Sequence, residues 1–440
     1  MGGTVSYTLG YAPDDEFDPR IDDFISKDRN YTHFDLPLKE LERNNFKVSA
    51  DEICQNSFWP LIGYVVSERR AKKDENDKLI FTTKDRPIKF GSHRDAAIFE
   101  YCAKSLSKDY EAFLQSTAIN DSVLAYRSGV GNNINHSKAL FDEIKIRGNC
   151  FAIAMDIKGF FDNISHDILY SQILRIRKVP KLNRTDFKIF QRMTKFEWVN
   201  SDQMKKHLGR RYGANGRICT AVEFRSIVRG KNSNLVVQNT NTFGIPQGTP
   251  LSGLYANVSL IEFDERVSGA VQKLGGSYRR YSDDIAILIP DEITPSTVID
   301  IVTAELSIIG LLLSVTKTDV SHFQNNGGTQ ESDSLFQYLG FTFDGKFTRI
   351  RQSSLNRYYA KMNRGVRAKV HAAKDKNIPP SEIYMRELFR KYTHFGKSRN
   401  FPRYAFRAAA VHDAPEIRQQ LKRHMAIFKL MVKNAIDKIY

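Results

Sequence analysis

Tyr281-Ser282-Asp283-Asp284, set in Gly276-Ser-Tyr-Arg-Arg-Tyr-Ser-Asp-Asp-Ile-Ala-Ile-Leu-Ile289, places two adjacent acids between an aromatic run and an apolar one. The pattern predicts strand, tight turn, strand, with both carboxylates at the tip. Adjacent acids that are buried or half-buried repel each other. They persist where something cationic neutralises them, and a divalent metal is the usual solution. The other reading is an ordinary Asp-Asp turn on a surface hairpin, since Asp is a common turn residue. The rest of the chain has to decide.

At 440 residues the chain suits two or three subdomains. Its 41% hydrophobic and 26% charged residues are those of a globular, soluble protein. No run approaches the ~18–20 apolar residues of a membrane span; Ile308-Ile-Gly-Leu-Leu-Leu313 is far too short. The first residues lack the basic and apolar regions of a secretory signal, and Met1-Gly2 with Ser6 matches the loose myristoylation pattern only by chance. Cys54, Cys102, Cys150 and Cys219 are widely spaced, which predicts free thiols in a reducing cytoplasm, with no zinc site and no disulfide framework. From Lys346 to Tyr440 there are 23 Lys and Arg against 6 Asp and Glu, so the whole excess charge of +16 lies in the last fifth of the chain. A helical segment this lopsided fits a polyanion partner.

Read in order, residues 1–60 form an acidic N-terminal extension with two short helices around Leu36–Glu42. Leu61–Val66 and Lys78–Thr83 read as strands flanking the polar loop Ser67–Asp77. Lys84-Asp-Arg-Pro-Ile-Lys-Phe-Gly-Ser-His-Arg-Asp95 reads as an extended segment, either an exposed basic loop or a phosphate clamp. Helices follow over 96–114 and 136–146, joined by the Gly-rich turn around Tyr126-Arg-Ser-Gly129. Cys150–Met155 reads as a buried central strand that delivers Asp156 to the mouth of a sheet, and Asp162–His166 as the cap of the next helix. Residues 167–240 read as two helices, a basic Gly-containing stretch (His207–Arg217) and two strands near Thr220–Val228 and Asn234–Gln238. Gly244-Ile-Pro-Gln-Gly-Thr-Pro-Leu-Ser-Gly253 is a shaped loop with free backbone N–H groups, opening a helix to about Leu274. After the hairpin come a helix (Thr294–Ile309), a strand (Leu311–Lys317) and a strand pair, Phe336–Phe343 with Lys346–Ile350, turning at Asp344-Gly345. The chain is helical, basic and aromatic from Ser353. Arg279 and Arg280 either reach a nucleic-acid backbone or lie at the surface.

Three carboxylates converging from adjacent strands, Asp156 with Asp283 and Asp284, make a two-metal site. Magnesium takes hard oxygen ligands, and a metal pair stabilises both the attacking and leaving oxygens of an in-line phosphoryl transfer. The element order suits an antiparallel sheet covered by helices on one face, an α+β arrangement.

Asp156-Ile-Lys-Gly-Phe-Phe-Asp162, Gly244-Ile-Pro-Gln-Gly-Thr-Pro-Leu-Ser-Gly-Leu254 and Tyr281-Ser-Asp-Asp284 resemble, in order, the three core palm motifs of reverse transcriptases. Lys317 in Val-Thr-Lys-Thr resembles the lysine motif that follows them, and Tyr338-Leu-Gly340 the primer-gripping hairpin. Lys84-x-Arg-Pro-Ile, Arg94-Asp95 and Tyr126-Arg-Ser-Gly129 resemble the fingers motifs of bacterial, non-retroviral members. The resemblance implies a right-hand polymerase fold: fingers over 61–149, palm over 150–345 with a fingers insertion at about 167–240, and a basic helical thumb over 346–440. It also implies an RNA-directed DNA polymerase using two Mg2+ ions, which Mn2+ can replace, with dNTPs, an RNA template and a DNA primer or product.

Carried over by position, Asp156 and Asp283 ligate the metals, with the Ile157 carbonyl in one shell and Asp284 nearby. Lys84, Arg86, Lys89 and Arg94 hold the triphosphate, Gln247 and Gly248 shape the templating base pair, and Lys317 protonates or screens the leaving pyrophosphate. Ser282 sits at the primer terminus, with Tyr338, Leu339 and Gly340 gripping the primer. Group II intron enzymes usually carry Ala at the Ser282 position, and the Val-Thr-Gly thumb motif of retron enzymes is absent. The chain is most similar to the defence-associated ("unknown group") reverse transcriptases. That implies antiphage immunity in the cytoplasm, no membrane, a dedicated noncoding RNA as template, and in some members a homo-oligomer or a second defence protein. A non-templated or protein-primed polymerase of the abortive-infection type, or a retron or group II intron relative, would share these motifs. Phe161 lies under the incoming sugar in this reading, where a bulky ring blocks a 2′-hydroxyl. Substituting Phe161→Ala is therefore expected to raise ribonucleotide incorporation in a primer-extension assay, and unchanged sugar selectivity would remove the assignment.

Overall fold

The computed structural model describes residues 24–73, 78–396 and 400–440. The acidic cluster at Asp14–Glu16, the Met1-Gly2 pattern and the tip of the polar loop at 74–77 lie outside the described residues. In chain order come α1 (Glu40–Asn44), α2 (Ala50–Gln55), β1 (Leu61–Lys73), β2 (Leu79–Phe90), α3 (His93–Gln115), α4 (Asn133–Arg147) and β3 (Cys150–Lys158). Then follow α5 (Phe160–Asn163), α6 (His166–Arg177), α7 (Arg184–Thr194), β4 (Glu197–Asn200), α8 (Ser201–Leu208), α9 (Ala221–Glu223), β5 (Val236–Gln238), α10 (Ser252–Val258) and α11 (Ile261–Lys273). Next are β6 (Ser277–Tyr281), β7 (Asp284–Pro290), α12 (Pro295–Ile308), β8 (Leu312–Leu313), β9 (Asp319–Asn326), β10 (Thr329–Ser332), β11 (Phe336–Tyr338), β12 (Phe341–Phe343) and β13 (Thr348–Ile350). Five helices close the chain: α13 (Gln352–Lys374), α14 (Arg386–Tyr392), α15 (Phe401–His412), α16 (Pro415–Gln420) and α17 (His424–Ile439). Among the described residues no helix is long and apolar enough to cross a membrane. The four cysteines are free thiols.

The helices start where polar side chains satisfy their first N–H groups. Ser49, Ser92, Asn132, Ser165, Asn183 and Asn200 each accept from a backbone N–H two or three residues on. Ser165 is thus the cap of α6, while Asp162 belongs to the short helix before it.

The elements fall into two compact units. One comprises Met1–Arg127, Ile157–Arg266 and Thr303–Leu312. Its sheet runs β2-β1-β4-β5, with β1 antiparallel to β2 and parallel to β4. The apolar side chains of Phe34, Ile62, Val199, Met204, Ile218, Phe224 and Leu235 close one core beneath it. Arg177 at the end of α6 is mostly buried and ties Asp109 of α3 (2.5 Å) to Asp186 of α7 (2.9 Å).

The other unit comprises Ser128–Asp156, Val267–Val302 and Leu313–Tyr440. Its main sheet follows the path β10-β9-β3-β7-β6, antiparallel throughout, and β11-β12-β13 form a smaller antiparallel sheet. α13 buries Leu355, Tyr358, Met362, Val366, Val370 and Ala373, at steps of three and four residues, against the same core as the sheet. Its Lys361, Arg364, Arg367 and Lys369 stay exposed.

Several local expectations are corrected. β1 continues through the polar stretch to Lys73, because a hairpin ladder needs only backbone groups. His93–Asp95 belong to α3 and not to an extended segment. Thr220–Val228 is helical: Thr220 and Glu223 form a capping box that outweighs the β-branched composition. Leu311–Lys317 is strand only at Leu312–Leu313, with a 3-10 turn at Val315–Lys317. The long helix to Leu274 is broken between Val258 and Ile261. Phe336–Phe343 folds back on itself at Leu339-Gly340, giving two strands where one was expected.

Candidate active site

β6 and β7 pair with Tyr281 opposite Asp284, which leaves Ser282 and Asp283 as a two-residue hairpin loop. Ser282 has φ 63°, a left-handed conformation that glycine fills most easily. The alternation of β6 turns Tyr278, Arg280 and Ser282 inward. Arg280 is completely buried and donates from Nη1 to the Ser282 carbonyl at 3.1 Å. A buried guanidinium must have acceptors, and the strained turn supplies one. Both sequence readings of Arg280 are therefore corrected, since it neither lies at the surface nor reaches outward. Arg279 pairs with Glu143 of α4 at 2.6 Å.

The register of the main sheet sets Asp156 of β3 directly opposite Asp284 of β7. The Asp156 carboxylate accepts from Lys317 Nζ, and the Asp156 carbonyl accepts from the Ser314 N–H at 2.8 Å. The 3-10 turn at Val315–Lys317 is what brings the ammonium there. Asp284 keeps part of its side chain open to solvent, yet the surrounding protein, then Asp283 and then Asp156, push its acid up to about 7. Lys317 and Arg351 pull the other way and do not cancel this. Three acids thus share a small space that one lysine only partly neutralises. Among the described residues no three of His, Cys, Asp and Glu already converge as a metal cluster. The donor set nonetheless fits a hard divalent cation: all carboxylate oxygens, with an unrelieved surplus of negative charge.

The second group of sequence-predicted residues lies in the other unit. The Lys89 N–H donates to the Gln247 carbonyl at 2.8 Å, and the Ile245 N–H to the Phe161 carbonyl at 2.9 Å. The Pro246-Gln-Gly248 loop is thereby fastened to β2 and to α5. Gly248 has φ 124°, and a Cβ there would come within 2.9 Å of Ile88 Cγ2 and the Lys89 carbonyl, so only glycine fits. Lys89 Nζ sits over the Phe196 and Trp198 rings, at 5.4 and 5.3 Å from their centroids, and burial lowers its pKa. Lys84 and Arg86 occupy the opposite face of β2 from Lys89. Arg86 pairs with Glu68 at 3.2 Å. Arg94 stands in the first turn of α3, 3.8 Å from Glu52. The four expected triphosphate ligands therefore do not form one cluster. Ile157 follows Asp156 on β3 and is buried.

Tyr338 pairs with Phe341, so Leu339 and Gly340 form a second two-residue loop, both with positive φ. Burial raises the pKa of the Tyr338 phenol. Of the C-terminal rings, Tyr358 and Tyr392 are buried and Tyr359, Phe389 and Tyr404 pack against the core, whereas Tyr384 and Phe395 are exposed. Sequence reading missed Asn133 and misjudged where Arg280 points. For Arg280 the signal was there, in its period-two alignment with Tyr278 and Ser282.

The sequence model of the reverse transcriptase (RNA-dependent DNA polymerase) family matches residues 72–343, and the chain belongs to that family. Its fold is accordingly the right-hand polymerase fold, with antiparallel sheets on helices. No curated protein matches the chain. Similar solved structures include apo telomerase from Candida tropicalis, 12% identical over 86% of this chain and 64% of that one, TM-score 0.42. A form of it truncated from the C-terminal domain is 12% identical over 65% and 55%, TM-score 0.41. Telomerase from Candida albicans with a fragment of telomeric RNA is 11% identical over 88% and 61%, TM-score 0.39. The chain thus spans 55–64% of the length of these structures. Similarity this low adds nothing about what the chain does.

The raised acid at Asp284 has a consequence for stability. An unfolded aspartate loses its proton near the ordinary value, while the native one holds it to about 7. The unfolded state then binds fewer protons across that window, so metal-free stability falls as pH rises through it. Asp284→Asn removes the penalty. In metal-free buffer the variant is expected to melt a few degrees above wild type at about pH 8, with most of the gain gone by about pH 5. Equal melting at both pH values would contradict the electrostatics.

Proposed function

We propose that this protein is an RNA-directed DNA polymerase that copies an RNA template by metal-assisted transfer of nucleotidyl groups from dNTPs. The observation that carries the reading is the cross-strand placement of Asp156 opposite Asp284, beside the Ser282-Asp283 turn, in a chain of the reverse transcriptase family. Asp156 and Asp283 would hold two Mg2+ ions, with Asp284 beside them and the Ile157 carbonyl completing one shell; Mn2+ would fit the same oxygens. Bound there, divalent metal supplies charge stabilisation at the attacking hydroxyl and the leaving phosphate oxygens.

The chain's own groups do the rest. Asp284, whose pKa is raised first by burial and then by Asp283 and Asp156, would lose its proton more readily beside a bound cation. Lys317, which donates to Asp156, would protonate or screen pyrophosphate as it leaves. Phe161 closes the sugar subsite, and Gln247 and Gly248 present backbone to the templating pair. Lys84, Arg86, Lys89 and Arg94 supply charge toward the triphosphate from separate positions on β2 and α3. The exposed cations of α13, in a segment with 23 basic and 6 acidic residues, suit the phosphates of a primer–template duplex. Residues 61–149 serve as fingers, 150–345 as palm and 346–440 as thumb in this reading.

The biological reading is cytoplasmic antiphage defence, with a dedicated noncoding RNA as template. It is supported by the resemblance of Tyr281-Ser-Asp-Asp284 and the fingers motifs to the defence-associated enzymes. Purified protein given dNTPs, Mg2+ and an RNA template annealed to a DNA primer is expected to make DNA complementary to the RNA. Asp283→Ala with Asp284→Ala is expected to lower this by at least about three orders of magnitude. Products unrelated to the RNA, or DNA attached to a Tyr or Ser of the protein, would replace this reading with a non-templated or protein-primed polymerase.

A further inference from the structure

We infer that Asn133, in the first turn of α4, is a positioning residue that holds the Leu339-Gly340 hairpin for the primer strand. The inference rests on the polymerase reading above. Leu339 has φ 45° and Gly340 φ 90°, and they are the two central residues of a loop closed by the pair Tyr338–Phe341. A two-residue loop with both φ positive favours Asn, Asp or Gly at its first position. Leucine crowds its own Cβ against the backbone there and needs restraint from outside the loop.

Two hydrogen bonds supply it. The Arg351 N–H donates to the Gly340 carbonyl at 3.0 Å. Asn133 Nδ2 donates to the Leu339 carbonyl at 3.2 Å. The second hydrogen of the same amide reaches Tyr404 Oη of α15 at 2.8 Å. A carbonyl can only accept, so the amide nitrogen must face Leu339. One side chain thus spends both donors on a strained hairpin tip and on a C-terminal helix.

Asn133 is also free for this task. Asn132 caps α4 by accepting from the Ile134 N–H, and Asn135 closes the capping box by accepting from the Asn132 N–H. The Asn132-Asn133-Ile134-Asn135 run therefore divides its labour: two amides start the helix and one holds the hairpin. His136, on the same helical turn, lies with its ring centroid 6.1 Å from that of Tyr281, the residue that leads into Ser282-Asp283-Asp284. The start of α4 thus touches both two-residue hairpins. A shift of the Leu339 tip relative to the carboxylates would displace a primer end from the reacting phosphate.

The test is steady-state and single-encounter extension of a DNA primer annealed to an RNA template. Asn133→Asp keeps the shape and removes both donors. It is expected to raise KM for primer–template about three- to tenfold, the scale of one or two lost hydrogen bonds. Products per binding event shorten, while kcat at saturating primer–template stays within about twofold. Tyr404→Phe, which removes only one acceptor, is expected to move KM the same way by less. Wild-type KM and product length in Asn133→Asp, or a fall in kcat alone, would each overturn the inference. Should Asn133→Asp fail to fold, an unchanged KM in Tyr404→Phe overturns it. Wild-type protein that extends no primer on RNA overturns the polymerase reading itself, before any variant is compared.

Discussion

Backbone hydrogen bonding between β3 and β7 forces together groups that electrostatics would separate. Asp156 is held opposite Asp284 by a ladder that continues through six more residue pairs, from Met155–Ile285 to Cys150–Pro290. A slip of one residue would turn every side chain of one strand to the other face. The buried Ile153, Ile285, Ile287 and Leu288 therefore fix the acids as firmly as any contact near them. Burial, then Asp283 and Asp156, raise the acid of Asp284, and Lys317 donates to Asp156. A structure that holds like charges together favours a cation between them.

The same economy appears in the two hairpin tips. Ser282 and Leu339 both adopt left-handed backbone where glycine would be easier, at about 1–2 kcal/mol each. Each is braced from below or beside: Ser282 by the buried Arg280, Leu339 by Asn133. Net hydrogen bonds of about 1 kcal/mol are enough to offset such strain when the partner is itself fixed. Arg280 is fixed by complete burial, and Asn133 by the first turn of a well-capped helix. Side chains at the two tips are thereby held in defined directions without glycine's freedom.

What could be read from sequence was local. The acid pair between an aromatic and an apolar run, Asp156 after a buried run, and the Gly-Pro-rich loop are contiguous signals, and the sheet that brings Asp156 to the acid hairpin was expected from them. Misreadings came where local composition and context disagreed. Thr220–Val228 is rich in strand formers, yet a four-residue capping box made it helical. Phe336–Phe343 looks like one strand because aromatics alternate at its two ends, and Leu339, the first loop residue, gives no turn signal. The braces were illegible because their partners are remote: Asn133 meets Leu339 and Tyr404 across 206 and 271 residues. The basic motif around Lys84–Arg94 was legible as charge but not as geometry, because strand pleat and the start of α3 send its cations to different places.

The central claim is that the carboxylates on β3 and the β6–β7 turn exist to hold divalent metal. Manganese binding, followed by electron paramagnetic resonance on protein carrying an RNA template, a chain-terminated DNA primer and the matching dNTP, measures this directly. About two bound ions per chain are expected, with at least one lost on Asp156→Asn or Asp283→Asn. Undiminished manganese binding in both variants would contradict it.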